Sequence, residues 1–72
     1  MAPATSVVLP SLHYWRIQRG FTQQQLAELI AVRRTTIWRI ETGGPCFMRN
    51  AHLLAKALGV RVADLMSQPP EG

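Results

Sequence analysis

The chain has 72 residues, enough for one small domain with a modest core. Its hydrophobic fraction of 47% is that of a folded chain and excludes a disordered one. Eight basic residues, seven of them arginine, stand against four acidic ones, and the net charge of +4 favours an anionic partner, nucleic acid before a membrane surface.

Residues 1–10 hold two prolines and no charged side chain, and read as a flexible or extended arm. No basic segment precedes the short apolar run Val7-Val8-Leu9, so a secretory signal is not expected. No stretch approaches the roughly 20 apolar residues of a membrane span, and a cytoplasmic location is the expectation. Ser11 is placed to cap a first helix through Arg19, with Leu12 and Trp15 one turn apart on one face. Gly20 suits the left-handed position just past its end. Thr22 and Gln25 have the spacing of a capping box, and Phe21 and Leu26 flank it as a hydrophobic staple. They open a second helix with Leu26, Ala27 and Ile30 inward. Ala31-Val32-Arg33 is a tight turn. A third helix runs from about Arg34 to Glu41 with Ile37 and Ile40 inward, and Gly43-Gly44-Pro45 stops it.

Cys46 is the only cysteine, which excludes an internal disulfide and reads as an inert loop thiol. His13, Cys46 and His52 lack the paired spacing of a zinc site, and no cofactor is implied. A fourth helix covers about Met48 to Leu58, with Met48, Ala51, Leu54, Ala55 and Leu58 inward, and Gly59 ends it. A short fifth helix spans about Val62 to Met66, and residues 67–72 form a tail. The expectation is an all-α domain of five short helices over residues 11–66, without strands.

Gln23 to Thr42 is therefore two short helices joined by a three-residue turn. Small Ala27 allows them to cross closely, and Leu26, Ile30, Val32, Ile37 and Ile40 form the buried wedge. Arg34, Thr35, Trp38 and Arg39 are left on the opposite face of the second of these helices. A DNA major groove accepts one α-helix, arginine can donate two hydrogen bonds to guanine O6 and N7, and threonine offers a hydroxyl and a methyl. Arg33, Arg34 and Arg39 place three positive charges within seven residues with no acid among them, whereas a solvated helix face usually mixes signs.

On these residues the chain resembles the phage-repressor and Cro-like (XRE-type) helix-turn-helix family, with a lambda-repressor-like fold. The matching run is Arg16, Gly20-Phe21-Thr22-Gln23, Leu26-Ala27, Ile37, Arg39-Ile40-Glu41, Gly43, Ala55-Lys56-Ala57-Leu58-Gly59-Val60 and Asp64-Leu65. The resemblance implies base reading by Arg34, Thr35 and Arg39, a phosphate or base-edge contact by Gln23 and a backbone contact by Arg33; in the mechanism read from these positions Gln23, Arg33 and Arg49 hold the backbone. It pairs Arg16 with Glu41 in a salt bridge between the first and third helices. It also implies a homodimer on a two-fold operator, with contacts at the loop before the fourth helix and at the fifth helix, where Phe47, Met48, Val62 and Met66 stand.

Three positions depart from the family pattern. Ala31 replaces the usual turn glycine, and a non-glycine residue at positive φ costs about 1 kcal/mol. Arg33 replaces the usual serine or threonine cap, which leaves Thr35 as the next residue able to cap a later-starting helix. Trp38 is a large aromatic on the reading face, able either to stack on sugar or thymine or to cover the protein's own surface.

The leading reading is a double-stranded-DNA-binding transcriptional repressor acting by occupancy. The alternatives are an antitoxin that binds DNA and neutralises a toxin, and a protein-interaction module that has lost DNA binding. An enzyme is not expected, because no nucleophile–base pair is visible.

Overall fold

The computed structural model describes residues 5–70, in which β1 (Ser6–Val8) leads into α1 (Leu12–Gln18), α2 (Gln23–Leu29) and α3 (Arg34–Glu41), followed by β2 (Pro45–Phe47), α4 (Met48–Leu58) and α5 (Val62–Met66). Four helices end in the same way. After α1, Phe21 N–H donates to the Arg16 carbonyl and Gly20 N–H to that of Ile17. After α2 the same two bonds run from Val32 to Ala27 and from Ala31 to Glu28. After α3 they run from Gly44 to Arg39 and from Gly43 to Ile40, and after α4 from Val60 to Ala55 and from Gly59 to Lys56. This doubly bonded ending takes up two carbonyls that a helix terminus otherwise leaves unpaired, and it needs one residue in the left-handed region. Gly20, Gly43 and Gly59 fill that position in three helices, and Ala31, at φ +60°, fills it in the fourth.

The helix starts are less uniform. Thr22 accepts from Gln25 N–H at 3.0 Å, and the Gln25 side chain accepts from Thr22 N–H at 2.9 Å, completing a capping box on α2. Arg33 occupies the cap position of α3 without a side-chain cap bond, so α3 begins at Arg34 and Thr35 lies inside its first turn rather than capping a later start. Ser11 does not cap α1 with its side chain. It is fully buried, its N–H donates to the Leu65 carbonyl at 3.1 Å, and its hydroxyl donates to the Ser67 carbonyl. Ser11 thus ties the start of the helical domain to α5, a contact between residues far apart in sequence that no local pattern could signal.

The expected all-α fold needs a correction. β1 and β2 pair antiparallel with Ser6 opposite Phe47, Val7 opposite Cys46 and Val8 opposite Pro45. Val7 and Cys46 turn to the core, while Ser6, Val8, Pro45 and Phe47 face away. Strands of three residues are too short to show alternation, and Pro45, which has no N–H to give, is tolerated as the first residue of an edge strand. Part of the expected flexible arm is therefore folded, with Leu9 1% exposed in the core; residues 1–4 lie outside the described residues. Cys46 is a buried strand residue rather than a loop thiol, and burial pushes its thiol pKa up. The same segment supports α4, because Met48 N–H, an unpaired donor at the helix start, is taken by the Thr5 carbonyl at 3.0 Å.

The core joins Leu9, Leu12, Leu26, Ile37, Ile40, Leu54, Leu58 and Leu65, all essentially inaccessible. Burying one such side chain contributes about 1.5–3 kcal/mol. α2 packs on α3 and α5 on α4, and Ala27 and Ile37 are both fully buried. That packing holds α3 on the body of the domain by one face and leaves the other face outside.

Candidate nucleic-acid interface

The outward face of α3 carries Arg34, Thr35, Trp38 and Arg39, all exposed. Trp38 is 53% accessible. Arg33 is exposed immediately before the helix, and Arg49 is exposed in the first turn of α4. None of these residues has an acid partner among the described residues, apart from the chain of contacts that holds Arg34.

That chain begins in the interior. Arg16 Nε donates to Glu41 Oε2 at 2.5 Å and Arg16 Nη2 to Glu41 Oε1 at 3.2 Å, a two-point pair between α1 and the last residue of α3. Both side chains are nearly inaccessible, at 9% and 5%. Arg16 Nη1 also donates to the Phe21 carbonyl at 2.8 Å, so the guanidinium holds the turn between α1 and α2 as well. Gln23 Nε2 donates to Glu41 Oε1 at 3.1 Å, and Arg34 Nη1 donates to Gln23 Oε1 at 3.3 Å. His13 Nδ1 lies 3.1 Å from both Glu41 Oε1 and Arg16 Nη2. Burial alone would push the Glu41 carboxyl up, but hydrogen bonds from Arg16, Gln23 and His13, together with the Arg16 charge, outweigh it and hold its pKa below the ordinary value.

The sequence places Arg16 opposite Glu41 only through the family resemblance, and the structure brings the two into contact. The link from Glu41 through Gln23 to Arg34 is not visible in the sequence, because it needs the start of α2 beside both ends of α3. His13 had one available signal. It stands three residues before Arg16 on the same helix, where side chains share a face.

Of the four residues expected to make a dimer contact, Met48 and Val62 pack partly buried against the core, whereas Phe47 and Met66 are 51% and 44% exposed. The structure therefore splits this set. Besides Arg16, Arg19 takes a structural role: its Nε donates to the Leu58 carbonyl at 2.7 Å at the end of α4, and its guanidinium lies over the Trp15 ring at 5.2 Å. Among the described residues, no three His, Cys, Asp or Glu side chains are grouped to hold a metal ion, and no helix is long and apolar enough to cross a membrane.

A helix-turn-helix family model matches residues 12–65, from the start of α1 to the end of α5. The chain belongs to this helix-turn-helix family. A solved structure, the hypothetical transcription factor NHTF from Neisseria, is similar at 25% identity with a TM-score of 0.75, covering 96% of this chain and 90% of that one. No curated protein matches at a significant level. Within the helix-turn-helix frame α2 is the positioning helix and α3 the exposed one, so the arginine-rich face of α3 coincides with the element through which such motifs meet DNA.

Proposed function

We propose that this chain is a sequence-specific regulator of transcription that binds double-stranded DNA and represses by occupying its operator. The observation that carries the reading is the exposed arginine-rich face of α3 on a helix whose other face is packed rigidly on α2. Arg34, Thr35 and Arg39 read base edges from the major groove, and arginine does so with two hydrogen bonds to guanine. Gln23, Arg33 and Arg49 hold the phosphate backbone, fixing register without reading sequence. Trp38, exposed among the reading residues, stacks on a sugar or a thymine methyl.

A helix of eight residues spans only a few base pairs, too few to select one site in a genome. The protein therefore acts as a homodimer on a near-palindrome, with the two α3 helices about 34–36 Å apart. The similarity to a structure described as a transcription factor supports the regulatory reading.

Selection of binding sites from random duplex DNA tests it. Enrichment of a short two-fold symmetric sequence is expected, and failure of any sequence to enrich, at low as well as moderate salt, would remove the proposal.

A further inference from the structure

We infer that His13 is a positioning residue for the reading of DNA: through Glu41 and Gln23 its imidazole governs how firmly Arg34 is held, and protonation of the imidazole loosens that hold. The inference rests on the DNA-binding reading and adds to it a dependence on pH.

The coupling turns on one oxygen. Glu41 Oε1 lies 3.1 Å from Gln23 Nε2, 3.2 Å from Arg16 Nη2 and 3.1 Å from His13 Nδ1. A carboxylate oxygen has two lone pairs to offer. The other oxygen, Oε2, is taken by Arg16 Nε at 2.5 Å. His13 Nδ1 also lies 3.1 Å from Arg16 Nη2. A neutral imidazole with its proton on Nε2 accepts there, so the two hydrogens of Nη2 go one to Glu41 and one to His13. Oε1 then has two donors, Arg16 and Gln23, and every group is satisfied.

An imidazolium carries a proton on both nitrogens and cannot accept. Once protonated, His13 joins Arg16 and Gln23 as a donor to Glu41, and Oε1 faces three donors with two lone pairs. Arg16 and His13 are then cationic and Gln23 is neutral, so Gln23 Nε2 is the donor that yields. The same amide holds Arg34 Nη1 at 3.3 Å through its oxygen, and Arg34 is released with it.

The His13 side chain is 61% accessible and that of Glu41 only 5%, so His13 exchanges protons with water while the carboxylate it acts on is enclosed. Imidazole is the side chain that ordinarily changes charge between about pH 5 and pH 8. Glu41, whose pKa lies below 4.5, stays ionised throughout that range. Among the described residues the charged groups facing His13 are Arg16 on its own helix and Glu41 on α3. Pro10, Tyr14, Ile17, Gln18 and Pro69 border the groove that His13 lines, and of these only the Tyr14 phenol can titrate. The two charges are of opposite sign at the same 3.1 Å, so protonation exchanges hydrogen-bond roles without unfolding the domain.

Competition binding of the full chain at about pH 8 and about pH 5 tests the inference. The readout is the ratio of affinities for the selected duplex and for one changed at the base pair where Arg34→Ala loses discrimination. A general gain of phosphate attraction at acid pH cancels in this ratio. In wild type, and in His52→Asn, which removes the other histidine, the ratio should fall about threefold to tenfold on acidification, part of what a lost two-bond base contact costs. His13→Asn sets an amide oxygen where Nδ1 stands, accepts from Arg16 at either pH, and should keep the high ratio at both. His13→Lys is cationic at either pH and should show the low ratio at both. In the free protein, the side-chain amide resonance of Gln23 should move with the titration of His13 in wild type and stand still in His13→Asn; should His13→Lys fail to fold, these two proteins decide. The inference is overturned by a wild-type ratio that does not change with pH, by a His13→Asn protein that keeps the wild-type slope, or by a Gln23 amide indifferent to His13. Failure of any site to enrich in the selection would instead remove the DNA-binding reading, with the coupling of His13 to Gln23 then decided by the amide resonance alone.

Discussion

Gln23 stands between Glu41 and Arg34, giving an N–H to the carboxylate at 3.1 Å and accepting from the guanidinium at 3.3 Å. Only one orientation of its amide satisfies both neighbours, because a carboxylate can only accept and a guanidinium can only donate. Glu41 therefore sets the Gln23 amide, and the amide sets Arg34. Gln23→Ala should leave the fold intact and weaken discrimination at the base pair that Arg34 reads. Gln23→Glu should do more damage, since a second carboxylate repels Glu41 and holds Arg34 by charge. Competition binding against single-base operator variants checks both, with Gln23→Glu expected to bind the preferred site more weakly than Gln23→Ala.

The Arg16–Glu41 pair makes stability depend on acid. The folded pKa of Glu41 lies below the ordinary value of 4.5, so as pH falls the unfolded chain takes up the proton first. The stability it contributes is fully present above about pH 4.5 and is lost as pH falls through the folded pKa. Arg16→Met strands a buried carboxylate and should cost about 3–5 kcal/mol at neutral pH. Adding Glu41→Leu should recover much of that loss and flatten the acid limb. Denaturant unfolding from pH 3 to pH 7 on both single variants and the double variant measures the coupling. Additive losses and unchanged pH slopes would contradict the pairing.

The helices were legible because their signals are local. The Thr22–Gln25 capping box, the glycines at three helix ends and the spacing of Leu26, Ala27, Ile37 and Ile40 each act within a few residues. The exposed face of α3 followed from the same periodicity. What escaped is what depends on distant partners. The β1–β2 sheet joins segments about forty positions apart through three residues each, and Ser11 answers to Leu65 and Ser67 rather than to its own helix. Arg33 shows that a helix can begin without a side-chain cap when packing behind it fixes its start.

Among the described helix ends closed by a left-handed residue, that of α2 alone has one with a β-carbon, Ala31 at φ +60°. Ala31→Gly removes the left-handed strain but adds freedom to the unfolded chain, and the two effects oppose each other. Strain should win by about 0.5–1 kcal/mol, raising Tm by about 2–8 °C for a domain of this size. Thermal melting followed by circular dichroism reads the difference, and operator affinity should not change.

Gly44 is constrained by space rather than by φ. A β-carbon there would meet the Arg39 carbonyl at 2.8 Å and Arg39 Cγ at 2.9 Å. The carbonyl is backbone and accepts from Gly44 N–H at 2.9 Å, so Gly44→Ala must move the end of α3 together with a reading residue. It should lose stability and specificity together, a combination expected of few surface substitutions. Melting and base-by-base competition on one preparation test this, and a variant destabilised with an unaltered preferred site would separate Gly44 from the reading of DNA.

The arginines divide by role, and salt separates them. Arg34→Ala and Arg39→Ala remove base contacts and should each reduce discrimination by about 1–3 kcal/mol at their own positions. Arg33→Ala and Arg49→Ala remove phosphate contacts, which carry no sequence information but release bound counterions. These two should weaken all sequences alike and flatten the dependence of log affinity on log salt by about one unit each. All four side chains are exposed, so the substitutions should leave Tm close to that of wild type, and the effects can be assigned to binding. Titrations of the preferred duplex and a scrambled one between about 50 and 200 mM salt, a range over which one unit of slope is about fourfold in affinity, separate the two classes. An unchanged preferred site in both Arg34→Ala and Arg39→Ala would take base reading away from α3.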